Sequence, residues 1–128
     1  MDAERLRAIP VFASLPEETL KEVAVFASES SVAAGTRIVN EGDYAHELMA
    51  IEEGTADVIR GEERIATLGP GDFFGEIGVV EKSLRTASVV ATSPMRLVVL
   101  TRWELKRAGS DALERIRATI QERRPAAG

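Results

Sequence analysis

The densest chemistry in this chain lies between Gly69 and Ala91. There a Gly-Pro-Gly turn runs into Phe73-Phe74-Gly75-Glu76-Ile77-Gly78-Val79, followed by Leu84-Arg85-Thr86-Ala87. Residues Gly75 to about Glu81 can form a short helix between two strands, whose first amides have no intrachain partners and attract an anion. Gly75 and Gly78 let that anion come close. Inside so short a helix Gly78 costs about 1 kcal/mol relative to alanine, which suits a place where backbone meets ligand. Arg85, nine residues beyond Glu76, can return beside the same helix and offer a planar fork to two phosphate oxygens. An ionised Glu76 only accepts hydrogen bonds, so it would repel a phosphate unless it faced hydroxyl donors. A ligand carrying phosphate and vicinal hydroxyl together, such as a ribose phosphate, meets both demands.

The elements that must hold these groups are legible from punctuation and periodicity. Between residues 30 and 101 the chain breaks into short stretches rich in Val, Ile, Thr and Ala, separated by Gly35, Gly42-Asp43, Gly54, Gly61 and Gly69-Pro70-Gly71-Asp72. The expected strands are Arg37–Asn40, Glu47–Glu52, Ala56–Arg60, Arg64–Leu68, Ala87–Thr92 and Arg96–Leu100, too many for an open hairpin, so a two-sheet jelly roll or β-roll follows. Before it, residues 1–29 read as a helical segment, with apolar positions Leu6, Ile9, Leu20, Val23, Ala24 and Ala27 at helical spacing and Pro16 in an opening turn. Ser14-x-x-Glu17 fits a capping box, and Thr101-x-x-Glu104 fits a second one opening a short helix that carries Trp103 and that Gly109 ends. A last helix starts near Ser110 with one narrow apolar stripe of Leu113, Ile116 and Ile120. Residues 102–124 thus form C-terminal helices, and 125–128 a flexible tail of the same single domain.

Composition sets the outer bounds. A chain of 128 residues that is 45% hydrophobic supports one compact core and not two. A net charge of -5 speaks against wrapping nucleic acid, so any phosphate site is local. The absence of cysteine removes disulfides, thiolate catalysis and zinc-thiolate sites. The charged stretch Met1 to Pro10 has no signal-peptide core, and the longest apolar runs are far short of the roughly 20 residues of a membrane span. A cytoplasmic protein with no membrane insertion is expected.

Phe-Gly-Glu-Ile-Gly-Val followed by Arg-Thr-Ala nine residues after the glutamate resembles the phosphate-binding cassette of cyclic-nucleotide-binding domains, here at residues 74–87. The order of elements resembles that family across nearly the whole chain. The resemblance implies an eight-stranded antiparallel β-roll with N-terminal helices and two C-terminal helices, mainly β with flanking α. It implies a ligand, cAMP or cGMP, with no further cofactor and no metal. The cassette residues Phe74, Gly75, Glu76, Ile77, Gly78, Val79, Arg85, Thr86 and Ala87 are the implied site. Within it Glu76 would bind the ribose 2′-hydroxyl, while Arg85 and the amides around Gly78 and Val79 would hold the cyclic phosphate. Thr86 would add a hydroxyl contact that leaves cGMP open, and Val58 and Ile65 would wall the base. Gly78 and Val79 depart from the Ala or Ser, then Leu, that the family often has there, which would loosen the cassette helix and its coupling to the C-terminal helices.

Other readings compete with this one. Glu76 and Arg85 could simply pair with each other on the surface. His46, the sole histidine, reads as an exposed turn residue, and a metal enzyme of the cupin type needs several ligands where this chain has one histidine. Trp103 is expected in the core rather than on a purine. The arginines at 115, 117, 123 and 124 read as a solvated helix face. The leading reading is a sensor in signal transduction: cyclic nucleotide enters the roll, the cassette closes on its phosphate, and Leu113, Ile116 and Ile120 cover the base. Its effector domain or partner protein is not encoded in these motifs. The alternatives are the sensor half of a transcription regulator, disfavoured by the acidic balance and by the four residues left after Arg124 for a recognition helix, and a scaffold of the same fold that binds nothing. With no nucleophile-base pair in the cassette, no enzyme is expected.

Overall fold

The computed structural model describes residues 1–43, 47–74 and 87–107, together with positions 114, 116 and 118. Three helices come first: α1 (Ala3–Arg7), α2 (Pro10–Ala13) and α3 (Glu17–Phe26). Eight strands follow: β1 (Ser28–Val32), β2 (Arg37–Val39), β3 (Glu47–Glu53), β4 (Ala56–Arg60), β5 (Glu63–Leu68), β6 (Phe73–Phe74), β7 (Ser88–Ala91) and β8 (Met95–Thr101). The last element with described bounds is α4 (Arg102–Arg107). All strand pairs are antiparallel, and they form two four-stranded sheets ordered β1-β8-β3-β6 and β2-β7-β4-β5. This is the mainly β roll with flanking helices that the sequence leads one to expect.

The two sheets and the helices make three layers, and the first sheet is the middle one. Its central strands β3 and β8 therefore bury side chains on both faces, alternating between two cores as strand geometry requires. Leu48, Ala50, Val98 and Leu100 point to a cluster with Leu6, Ile9, Phe12, Leu20 and Val23 of the helices. Met49, Ile51, Met95 and Leu97 point the other way, to a second cluster with Val39, Ala56, Val58, Val89 and Ala91 of the second sheet. Even the two residues of β6 divide, Phe73 to the helical cluster and Phe74 to the inner one.

Two strands and one cap differ from expectation. Helical periodicity was read through to Ser28, but the helix stops at Phe26 and β1 begins at Ser28. β1 is an edge strand of sequence SESSV, partly exposed throughout, so it lacks the apolar alternation that marks a strand. β6, with two residues, is too short to show any period. Ser14 is not the N-cap of α3: Pro16 occupies that position, which makes Glu17 the first helical residue, and Ser14 closes α2 instead. The second box does form and is reciprocal, with Thr101 N–H donating to Glu104 Oε1 at 2.9 Å and Glu104 N–H to Thr101 Oγ1 at 3.1 Å.

Candidate functional site

Residues 75–86 join β6 of one sheet to β7 of the other, and both junctions are fixed by packing. Phe74 and Ala87 are fully buried in the inner cluster. Of the expected site residues these two are described, and both side chains lie in the roll's core. Gly75, Glu76, Ile77, Gly78, Val79, Arg85 and Thr86 lie outside the described residues, as does His46.

The upstream junction is set by the turn that precedes it. Gly71 adopts φ 91°, the left-handed region open to glycine. Its N–H donates to Ile51 O at 2.8 Å, and Ile51 N–H donates to Asp72 O at 2.8 Å. The Asp72 carboxylate accepts from Gly69 N–H at 2.8 Å. This stitches the turn to β3, so that Phe73 and Phe74 pair opposite Ala50 and Met49.

The downstream junction rests on a hydroxyl that sequence reasoning missed. Ser88, 4% exposed, opens β7 opposite Ile59 of β4. Its Oγ accepts from Arg37 Nη1 at 3.1 Å and from Glu41 N–H at 2.9 Å. The Glu41 carboxylate in turn accepts from Gly61 N–H at 2.8 Å. The available signal was a single hydroxyl in the otherwise apolar run Ala87 to Ala91.

A cavity of about 380 Å³ is lined by residues of β1, β2, β3, β8 and α4, within the range of small-molecule sites. Val32, Ile38, Met49, Leu97 and Val99 supply apolar lining, and Ser30, Thr36, Arg37, Glu47 and Thr101 supply polar groups. Met49 pairs with Phe74 on one side, and Arg37 reaches Ser88 on the other. Among the described residues no group of three His, Asp or Glu could hold a metal ion, and no helix is long and apolar enough to cross a membrane.

Of the two weaker base-wall positions, Val58 is fully buried in the inner cluster. Ile65 is 39% exposed, because a register shift pairs Val58 with Ala66 but Ile59 with Arg64, leaving Ile65 as the extra residue of a bulge. Trp103 corrects an expectation: it is 58% exposed rather than in the core. A helix of six residues has too few turns to define a buried face from sequence. Ile116, placed in the expected lid, is fully buried in the helical cluster with Leu6, Ile9 and Phe12, while Glu114 and Ala118 of the same helix are exposed. Leu113 and Ile120 lie outside the described residues.

A family model described as the cyclic nucleotide-binding domain matches residues 29–110, a span that contains the whole of 74–87. The chain is 29% identical over 116 residues to a cAMP-dependent protein kinase regulatory subunit of Hypocrea atroviridis, covering 91% of this chain and 23% of that protein. It is 32% identical over 117 residues to cGMP-dependent protein kinase isozyme 1 of Drosophila melanogaster, covering 85% and 15%. The chain thus spans about a quarter or less of these relatives. Among solved structures, a candidate cyclic nucleotide-binding protein from Geobacter metallireducens GS-15 superimposes with a TM-score of 0.82 at 28% identity, covering 96% of this chain and 98% of that one.

Proposed function

The chain belongs to the cyclic nucleotide-binding domain family, and from that premise we propose that it is a regulatory module that binds cAMP or cGMP and performs no catalysis of its own. The observation that carries the reading is the family match across 29–110, which takes in the segment where Glu76 and Arg85 stand nine residues apart between two glycines and an alanine. The buried anchors Phe74 and Ala87 at the two ends of that segment, and a cavity of ligand size whose Met49 pairs with Phe74, support it. In this reading Glu76 accepts from the ribose hydroxyl. Arg85 and the amides around Gly78 and Val79 neutralise the cyclic phosphate, and Thr86 adds a hydroxyl contact. Glu76 binds rather than activates water, so the nucleotide is released unchanged.

Both nucleotides belong in the test, since the relatives include a cAMP-dependent and a cGMP-dependent kinase protein. The same relatives make a protein kinase the first effector to examine, in the cytoplasm. Binding is coupled to movement of the helix that carries Ile116.

A thermal-shift titration with cAMP, cGMP and 5′-AMP tests the reading. Saturation at 100 times the Kd stabilises by about 2.7 kcal/mol, a rise in Tm of the order of 10 °C. 5′-AMP, with its opened phosphate ring, gives a smaller rise. No rise with either cyclic nucleotide refutes the proposal and leaves a non-binding scaffold. Arg85→Gln removes charge-assisted hydrogen bonds worth about 1.5–3 kcal/mol each, so calorimetry should show an affinity loss of roughly one to two powers of ten per bond. An unchanged affinity would rule out that role for Arg85.

A further inference from the structure

Among the described residues Ser88 is the one polar side chain that is fully buried, although its position in β7 faces away from the roll's interior. Val89 and Ala91 belong to the inner cluster, and strand alternation aims Ser88 and Val90 outward. Ser88 is buried because β2 and the turn after it close over it: Arg37 Nη1 and Glu41 N–H both donate to its Oγ. The tie extends through Glu41 Oε1 to Gly61 N–H in the β4–β5 turn. Three separate segments therefore meet on β7 at the point where the chain returns from the cassette, three residues after Arg85. An alanine there would match its neighbours and remove the acceptor that ties Arg37 and the Glu41 amide to β7.

We propose that Ser88 is a positioning residue for nucleotide binding, held by Arg37 and the Glu41 turn, which fixes the start of β7 where the chain re-enters the roll after residues 75–86. This rests on the cyclic-nucleotide reading above. Groups that bind a phosphate must be held to within about 0.5 Å of their productive geometry, and a β7 whose first residue cannot slide gives the chain before it a fixed point of attachment. Ser88 touches no ligand in this role; it acts through the backbone at the start of β7.

The same sheet supplies the control. At its opposite end, where Ala56 pairs with Ala91, Thr55 Oγ1 and Thr92 Oγ1 lie 2.8 Å apart in an exposed hydroxyl cluster. Calorimetric titration of cAMP and cGMP into the parent, Ser88→Ala, Arg37→Met, Arg37→Lys and Thr55→Val, with Tm and amide exchange measured on each, separates the outcomes. Ser88→Ala and Arg37→Met should each weaken binding about tenfold and speed exchange at the Gly61 and Glu41 amides. Arg37→Lys, which restores a donor, should recover most of the affinity, and Thr55→Val should lower Tm without changing affinity. If Ser88→Ala and Arg37→Met lower Tm yet bind as tightly as the parent, the latch is structural only and the proposal is wrong. A parent that binds neither nucleotide overturns the functional reading itself, a failure its own titration identifies before any variant is compared.

Discussion

Arg5 ties the first helix to two strands at once, and the tie has a pH dependence. Its Nε and Nη2 donate to Glu52 Oε2 and Oε1 at 2.9 and 2.6 Å, and Nη2 also donates to Glu29 on β1. The Glu52 bonds first, then the Glu29 bond, hold the guanidinium charged even more firmly than usual. The Glu29 carboxyl is held below its ordinary value, chiefly by its hydrogen bond to Arg5, with Arg96 and the chain's amino terminus adding to the effect. A carboxyl whose folded pKa is depressed contributes stability above its unfolded value and loses it as pH falls through the folded one. The parent should therefore lose Tm on acidification below the usual glutamate range more steeply than Arg5→Met, which has no such bond to lose. Salt should shrink the difference, because the groups are partly solvated. Parallel melting curves of the two proteins against pH would show the idea to be wrong.

At the level of elements, the turns are the most legible feature and the most unequal in cost. Gly35, Gly42, Gly54, Gly61 and Gly71 all take positive φ, as the glycine punctuation anticipates. Two of them differ sharply in surroundings. A Cβ on Gly35 would meet nothing within 4 Å, whereas one on Gly54 would lie 2.4 Å from Pro94 O and 2.8 Å from Met95 Cγ. Gly35→Ala should cost only the left-handed backbone penalty, about 1–2 kcal/mol, and Gly54→Ala about 3 kcal/mol or more once overpacking is added. Urea denaturation of the pair distinguishes them, and equal losses would show that the β3–β4 turn yields. The same reasoning explains what sequence alone does not reveal. A glycine announces its turn because the backbone needs it, and the Thr101 box is visible because cap and strand end coincide. β1 hides because an edge strand can be polar, and the Ser88 latch hides because its partners lie 51 and 47 residues away. The motif from Phe74 to Ala87 is legible for its chemistry, since glycines, a carboxylate and an arginine at set intervals carry meaning whatever fold supports them.

On the scale of the whole molecule, the middle sheet separates two cores that do different work. The inner cluster, with Phe74 and Ala87, holds the ends of the cassette. The helical cluster gathers residues of α1, α2 and α3 with Ile116, so they share one apolar body on the far face of that sheet. A lid that uses Ile116 to cover the base must first withdraw it from that cluster. That requirement makes nucleotide affinity depend on residues remote from the ligand: loosening the helical cluster makes withdrawal easier and raises the population able to close. Ile9→Val, which costs about 0.5–1.5 kcal/mol, should lower Tm while strengthening cAMP or cGMP binding, by at most about tenfold if the whole loss falls on the cluster's hold on Ile116. Truncation after Gly109 separates the contributions, because it removes the lid and leaves its resting place in the helical cluster empty, and should weaken binding. Were Ile9→Val and the truncation both to leave affinity at the parental value, the C-terminal helix would be a fixed part of the helical core, and the signal would have to leave the roll by another route.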